Sequence, residues 1–118
     1  MTLEMFVSAL RPAGDLAGVF DYADDTGYFY LYNQERKQIL GHIHIVSGTP
    51  DFSEADVEVH WASGERMVGI LIRGHLWAVF RDDGERIGGN YRPRTHPEIP
   101  ELVSKSFQEP RRGMSPRT

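Results

Sequence analysis

Short apolar segments, separated by turn-forming stretches, constrain the fold of this chain more than any other feature. Most of the connections between them contain two to five residues, and parallel strands need much longer crossovers. The segments must therefore pair mainly as antiparallel neighbours. We predict a mainly β fold, an antiparallel β-sandwich or a partly open barrel of seven or eight strands. The predicted strands are 17–22, 26–33, 39–46, 56–61, 66–72, 76–80 and 86–91, with an eighth at 4–9.

One helix is expected near the end of the chain. The stretch HPEIPELVSKSF (96–107) has prolines that can start a helix, acidic residues early and Lys105 late, as the helix dipole prefers. The length of 118 residues is normal for one domain. The sequence thus predicts a single β-rich domain over 1–108 with a short C-terminal helix, followed by a flexible basic tail over 109–118.

The segment TGYFYLYN (26–33) places three tyrosines at alternate positions. Alternate side chains of a strand share one face, so Tyr28, Tyr30 and Tyr32 point one way while Phe29 and Leu31 point the other. Both faces are apolar enough to be covered, which is typical of a central strand. The predicted core comprises Val19, Phe20, Phe29, Leu31, Ile43, Ile45, Val57, Val59, Trp61, Ile70, Ile72, Trp77, Val79 and Phe80.

Composition and charge exclude several classes of function. The chain has no cysteine, so a disulfide framework, a thiol nucleophile and a cysteine metal site are excluded. It carries a formal net charge of −4, and the part before residue 111 holds 10 basic against 17 acidic residues, a net −7. An acidic body repels phosphate backbones and anionic lipid. We therefore expect no nucleic-acid and no membrane partner, and a cytoplasmic location.

The sequence also resembles a small bacterial family of uncharacterised proteins, a domain of unknown function. The resemblance rests on DDTGYFY (24–30), on the strand ILGHIHIV (39–46), and on VEVHWASGERMVGILIRGHLWAVF (57–80). It departs from the family pattern at Ala62, where a serine is expected, and at Arg81, where an acid is expected. The family has no assigned activity, so the resemblance implies a small β-rich bacterial protein and nothing about chemistry.

Histidines on two strands raise the hypothesis of a metal site. His42 and His44 share one face of a strand, and Glu58 and His60 share the polar face of another. If the two strands pair with those faces aligned, a site of three ligands is geometrically feasible. The competing interpretation is that these residues form the solvent-facing sides of two amphipathic strands.

No catalytic residue and no cofactor emerge from the sequence, because no serine lies in a Gly-x-Ser-x-Gly type of nucleophile turn. Whether the protein is an enzyme stays open, with a non-enzymatic protein favoured. Small size and an acidic body favour a cytosolic protein that binds another protein, as an immunity-like or regulatory protein would. The alternative is a metal- or small-molecule-binding β-barrel, and the sequence also allows a homodimer. The expected protein-binding residues are Asp21, Asp24, Asp25, Tyr28, Tyr32, Asp82, Asp83 and Glu85.

Overall fold

The computed structural model describes residues 3–108, which form eight strands and one α-helix. The predicted tail at 109–118 lies outside the described residues. The elements are β1 (Met5–Leu10), β2 (Leu16–Ala23), β3 (Thr26–Asn33), β4 (Gln38–Ser47), β5 (Val57–Trp61), β6 (Met67–Ile72), β7 (His75–Arg81), β8 (Arg86–Gly88) and α1 (Glu101–Gln108), with a 3₁₀ turn at Glu54–Asp56 before β5.

The strands form two four-stranded sheets, ordered β1-β2-β3-β4 and β5-β6-β7-β8. Every pair is antiparallel and joins strands that are consecutive in the chain. The first two strands of each sheet pack across the interior from each other, and β4 lies against β8. The predicted antiparallel sandwich is confirmed, and the sheets do not close into a barrel.

The core lies between the two sheets and is built by strand alternation. Phe29 and Leu31 of β3 are fully buried, as predicted, and the Phe29 ring lies 5.5 Å from the Phe80 ring of the opposite sheet. Tyr22 also belongs to this core but is not among the residues predicted from the sequence. The prediction that Val19 is a core residue is wrong. Val19 lies on the outer face of β2, which it shares with the exposed Asp21.

Helix α1 covers the outer face of the second sheet. Val103 packs there against Leu76 and Val79, and Phe107 joins the same cluster. The helix begins at residue 101 and not at 96, because Pro100 disfavours helical backbone at Ile99. The carbonyl of Pro100 then accepts the first helical hydrogen bond, from the amide of Ser104 at 2.9 Å.

Strand β8 is shorter than predicted, ending at Gly88 instead of residue 91. Gly88 and Gly89 both have positive φ, of 79° and 124°, a conformation that glycine adopts without steric cost. The bend carries the chain away from β7 and across to the edge of β4. No helix in the described part of the chain is long and apolar enough to cross a membrane.

Candidate functional site

The outer face of the first sheet presents an ordered array of side chains that the strand register defines. Four strands contribute three positions each, so the face is a grid of three rows. We call this grid the tyrosine face. Its rows are Leu10, Ala17, Tyr32 and Ile39; then Ser8, Val19, Tyr30 and His42; then Phe6, Asp21, Tyr28 and His44.

The tyrosine face is apolar for a surface. Phe6 is 61% exposed, Leu10 53% and Ile39 54%, and Asp21 is the only Asp, Glu, Lys or Arg among the twelve residues. The corresponding face of the second sheet is covered by α1. Within residues 3–108, no element of secondary structure covers the tyrosine face. Exposed apolar patches rimmed by polar groups are typical of interaction sites.

The aromatic rings of this face support one another. The Tyr28 ring lies 5.5 Å from the His42 ring and 5.6 Å from the His44 ring, with both imidazoles edge-on to it. Tyr28 and Tyr30 lie 6.0 Å apart along β3. Such contacts restrict the side chains before any partner arrives, so less rotamer entropy is lost on binding.

The hydroxyl groups of the face are available to a partner. In the described part of the chain, the hydroxyls of Tyr28, Tyr30 and Tyr32 make no hydrogen bond within the protein. Burial of the Tyr30 ring, and then the negative charge of Asp21, raise the pKa of Tyr30 above its usual value. Tyr30 therefore offers a neutral hydroxyl that can donate a hydrogen bond at neutral pH.

The histidines of the metal-site hypothesis do not converge. His42 and His44 lie on β4, which pairs with β3, whereas His60 lies on β5, in the other sheet. The His60 ring is instead hydrogen bonded to Glu58, at 2.6 Å from Nε2 to Oε1. Among residues 3–108, no group of three or more His, Asp or Glu side chains is placed to hold a metal ion. The proposed cluster of His42, His44, Glu58 and His60 is therefore not formed.

The five acidic turn residues among the eight expected protein-binding residues divide between the two ends of the sandwich. Asp24 and Asp25 form the turn after β2. Asp82 lies near the opposite end of β2. Its carboxylate is 3.2 Å from the Arg11 guanidinium, which also forms an ion pair with Asp15. A strand of eight residues spans about 26 Å, so these acidic groups lie far apart along the first sheet. The tyrosine face holds only Asp21, Tyr28 and Tyr32 of the expected set.

The acidic residues after β7 already have local structural roles. The Asp83 carboxylate accepts a hydrogen bond from the backbone amide of Glu85 at 3.0 Å, and the Glu85 carboxylate lies 3.0 Å from the Arg81 guanidinium. Together with the Arg11–Asp82 ion pair, these contacts make Asp82, Asp83 and Glu85 parts of a turn and its anchor.

A polar cluster at the edge of β4 was missed by sequence reasoning. His44 contacts Ser47, three residues later in the same strand, and Asn90, which follows β8. In a regular strand, side chains three residues apart lie on opposite faces, so the sequence does not predict a contact between His44 and Ser47. The contact depends on the irregular register near the end of β4. No local sequence pattern predicts the contact between Asn90 and His44, because Asn90 reaches His44 only through the packing of β8 against β4 across the sandwich.

Comparison of the chain with family models, with curated proteins and with solved structures gave no match. The resemblance to a domain of unknown function therefore stays a prediction.

Proposed function

We propose that this protein binds another protein through the tyrosine face. The observation that carries the proposal is the face itself, in which twelve ordered positions include three tyrosines, three exposed apolar side chains and a single charge. Tyrosine provides a large contact area at a small cost in conformational entropy, together with a hydroxyl for hydrogen bonding. Protein interfaces are accordingly enriched in tyrosine and depleted of charge at their centres.

The charge of the face favours a particular kind of partner. Asp21 lies in the register between Phe6 of β1 and Tyr28 of β3, so a partner that covers these rings would also cover its carboxylate. A covered carboxylate without a counter-charge is costly. The proposed partner is therefore a protein with an apolar patch and with a lysine or arginine opposite Asp21. Binding such a partner would suit an immunity-like or regulatory role for the present protein.

Site-specific photo-crosslinking tests this proposal. A photoreactive phenylalanine analogue replaces Tyr30, at the centre of the face, and the protein is irradiated inside its native host. The matched control places the same analogue at Glu58, which is exposed on the opposite outer surface of the sandwich. We expect a discrete adduct from position 30 that is absent from position 58, and Asp21→Arg should reduce its yield.

Three outcomes would contradict the proposal. The first is the absence of any adduct at position 30, and the second is the same set of adducts at positions 30 and 58. The third is an adduct of twice the chain mass, which would identify a second copy of this chain as the occupant. Circular dichroism of each variant establishes that the sandwich is intact.

A further inference from the structure

The cluster at the edge of β4 has the atomic arrangement of a catalytic triad. His44 Nε2 lies 2.8 Å from Ser47 Oγ, and His44 Nδ1 lies 2.8 Å from Asn90 Oδ1. Serine and thiol hydrolases on unrelated folds use this order of contacts, from a nucleophile to a histidine to an orienting acceptor. Such a site is recognised by geometry and not by position in the sequence.

With Asn90 Oδ1 facing the ring, one tautomer of His44 satisfies both contacts. An amide oxygen can only accept, so Nδ1 must donate its hydrogen to Asn90 Oδ1. In the neutral ring Nε2 is then unprotonated, and it accepts a hydrogen bond from the Ser47 hydroxyl. This tautomer lets the imidazole remove the serine proton as a general base.

Backbone hydrogen bonds hold both ends of the cluster in place. Ser47 is followed by Gly48 at φ 77°, whose amide donates to Asp25 and whose carbonyl accepts from the Tyr22 hydroxyl, both at 2.8 Å. The amides of Asn90 and Tyr91 donate to the carbonyls of His44 and Ile45. The nucleophile and the orienting side chain are therefore fixed relative to His44.

Asn90 adopts an unusual backbone conformation at this point. Its φ is 54°, in the left-handed region that non-glycine residues rarely occupy, although asparagine tolerates it better than most. Here the conformation, together with the two flanking backbone bonds, directs the Asn90 amide toward the imidazole.

An open cavity of about 370 Å³ adjoins the cluster. Its lining includes all three residues of the cluster and also Arg92, the only lysine or arginine among the residues that line it. Ser47 is exposed, so its hydroxyl is accessible from solvent. Arg92 adds one positive charge to this lining, which also contains the carboxylate of Asp51.

The geometry points to a serine esterase site in which Ser47 is the nucleophile, His44 the general acid and base, and Asn90 the positioning residue. The substrates are small carboxylic esters that reach an open cleft. His44 belongs both to this site and to the tyrosine face, but the inference rests on the contacts of His44 with Ser47 and Asn90 and not on partner binding. The inference differs from the sequence-based expectation of a non-enzymatic protein. That expectation could not include this cluster, because only the fold brings Asn90 to His44.

The reaction has two steps. Ser47 Oγ attacks the ester carbonyl carbon while its proton passes to His44 Nε2, and the tetrahedral oxyanion forms in the cavity. Collapse breaks the carbon–oxygen bond, and the leaving alcohol takes the proton from His44. Water then attacks the acyl-serine and gives its proton to His44, after which Ser47 Oγ leaves with that proton. The net reaction converts ester and water to carboxylic acid and alcohol.

The first experiment combines labelling with turnover. The full chain is incubated with a fluorophosphonate and analysed by intact mass and peptide mapping, and hydrolysis of p-nitrophenyl acetate is followed in parallel. We expect one adduct on Ser47, and a rate that Ser47→Ala lowers by about 100-fold. Ser63→Ala is the matched control, since Ser63 lies in an exposed turn away from the cluster, and it should leave both readouts unchanged.

The second experiment tests the positioning role of Asn90. Asn90→Gly removes the amide side chain while glycine accepts the positive φ without strain. We expect kcat to fall by at least about tenfold with KM unchanged, while Asn90→Asp retains activity. The esterase inference is overturned if the label is absent or attached to another residue. It is also overturned if Ser47→Ala hydrolyses the ester as fast as the wild type, or if Asn90→Gly leaves kcat unchanged.

Discussion

Two tyrosines of the first sheet place their hydroxyls in different surroundings. Tyr22 is buried, and its hydroxyl donates a 2.8 Å hydrogen bond to the Gly48 carbonyl. The Tyr32 hydroxyl has no partner within the described residues. We expect Tyr22→Phe to lower the free energy of unfolding by about 1 kcal/mol, and Tyr32→Phe to change it by less than about 0.5 kcal/mol. Urea denaturation followed by circular dichroism checks this, and equal effects of the two changes would contradict it.

Tyr91 makes stability depend on alkaline pH. Burial, and then the hydrogen bond from its hydroxyl to Asp51, raise the pKa of Tyr91 to about 12. In the unfolded chain a tyrosine titrates near pH 10. Between these two values the unfolded state loses its proton while the folded state keeps it, so stability falls as the pH rises from about 10 to about 12.

The measurement is the urea midpoint at a series of pH values between 9 and 11. The wild type should lose stability across this range, and Tyr91→Phe should lose less. The pKa values of Tyr22 and Tyr30 are also raised, so part of the slope should remain in the variant. An unchanged slope in Tyr91→Phe would contradict the account of this residue.

At the scale of residues, the sequence predicted orientation well where a strand has a clear pattern. Phe29 and Leu31 face the core because their neighbours are tyrosines, whose hydroxyls favour the wet side. Val19 was placed wrongly although Asp21, two residues away and on the same face, marked that face as the outer one. Val19 and Phe20 are both apolar, so hydrophobicity alone could not decide between them.

The hairpin between β2 and β3 depends on a two-residue turn. Asp24 and Asp25 have φ values of 53° and 64°, the pattern of a type I′ turn, in which glycine is strongly preferred at the second position. The equivalent turn between β6 and β7 has Arg73 and Gly74, at 52° and 83°. The two acidic residues therefore hold a left-handed backbone conformation that glycine adopts more easily.

Exchanging residues at these turns should have opposite effects. We expect Asp25→Gly to stabilise the protein by about 1 kcal/mol, because it removes the steric cost of a left-handed residue. We expect Gly74→Ala to destabilise it by a similar amount for the same reason. Thermal denaturation of both variants tests the pair, and a loss of stability in Asp25→Gly would contradict the assignment of the turn.

At the scale of elements, the strands could be predicted but their order could not. The eight strands could be predicted from apolar segments and turn residues. Their division into two sheets depends instead on the path of the chain from β4 through the loop to β5. That division separates His42 and His44 from His60, and it brings Asn90 to His44 instead. Long-range contacts of this kind leave no periodic trace in the sequence.

The whole molecule treats its two outer faces unequally. The helix covers one sheet with Val103 and Phe107, and the other sheet is left open with its tyrosines, Phe6, Leu10 and Ile39 at the surface. Nothing in the packing of the fold favours the exposure of so many apolar groups. Their exposure therefore supports a function for the open face. We therefore propose this face as the contact surface for a protein partner.

The affinity of the cross-linked partner, once it is purified, tests this central claim most directly. Isothermal titration calorimetry would compare the wild type with Tyr30→Ala on the tyrosine face and Glu58→Ala on the opposite surface. Loss of a central interface tyrosine costs about 2 kcal/mol or more, so Kd should rise by at least about 30-fold for Tyr30→Ala. Glu58→Ala should bind like the wild type. Unchanged binding by Tyr30→Ala, or weaker binding by Glu58→Ala than by Tyr30→Ala, would contradict the account.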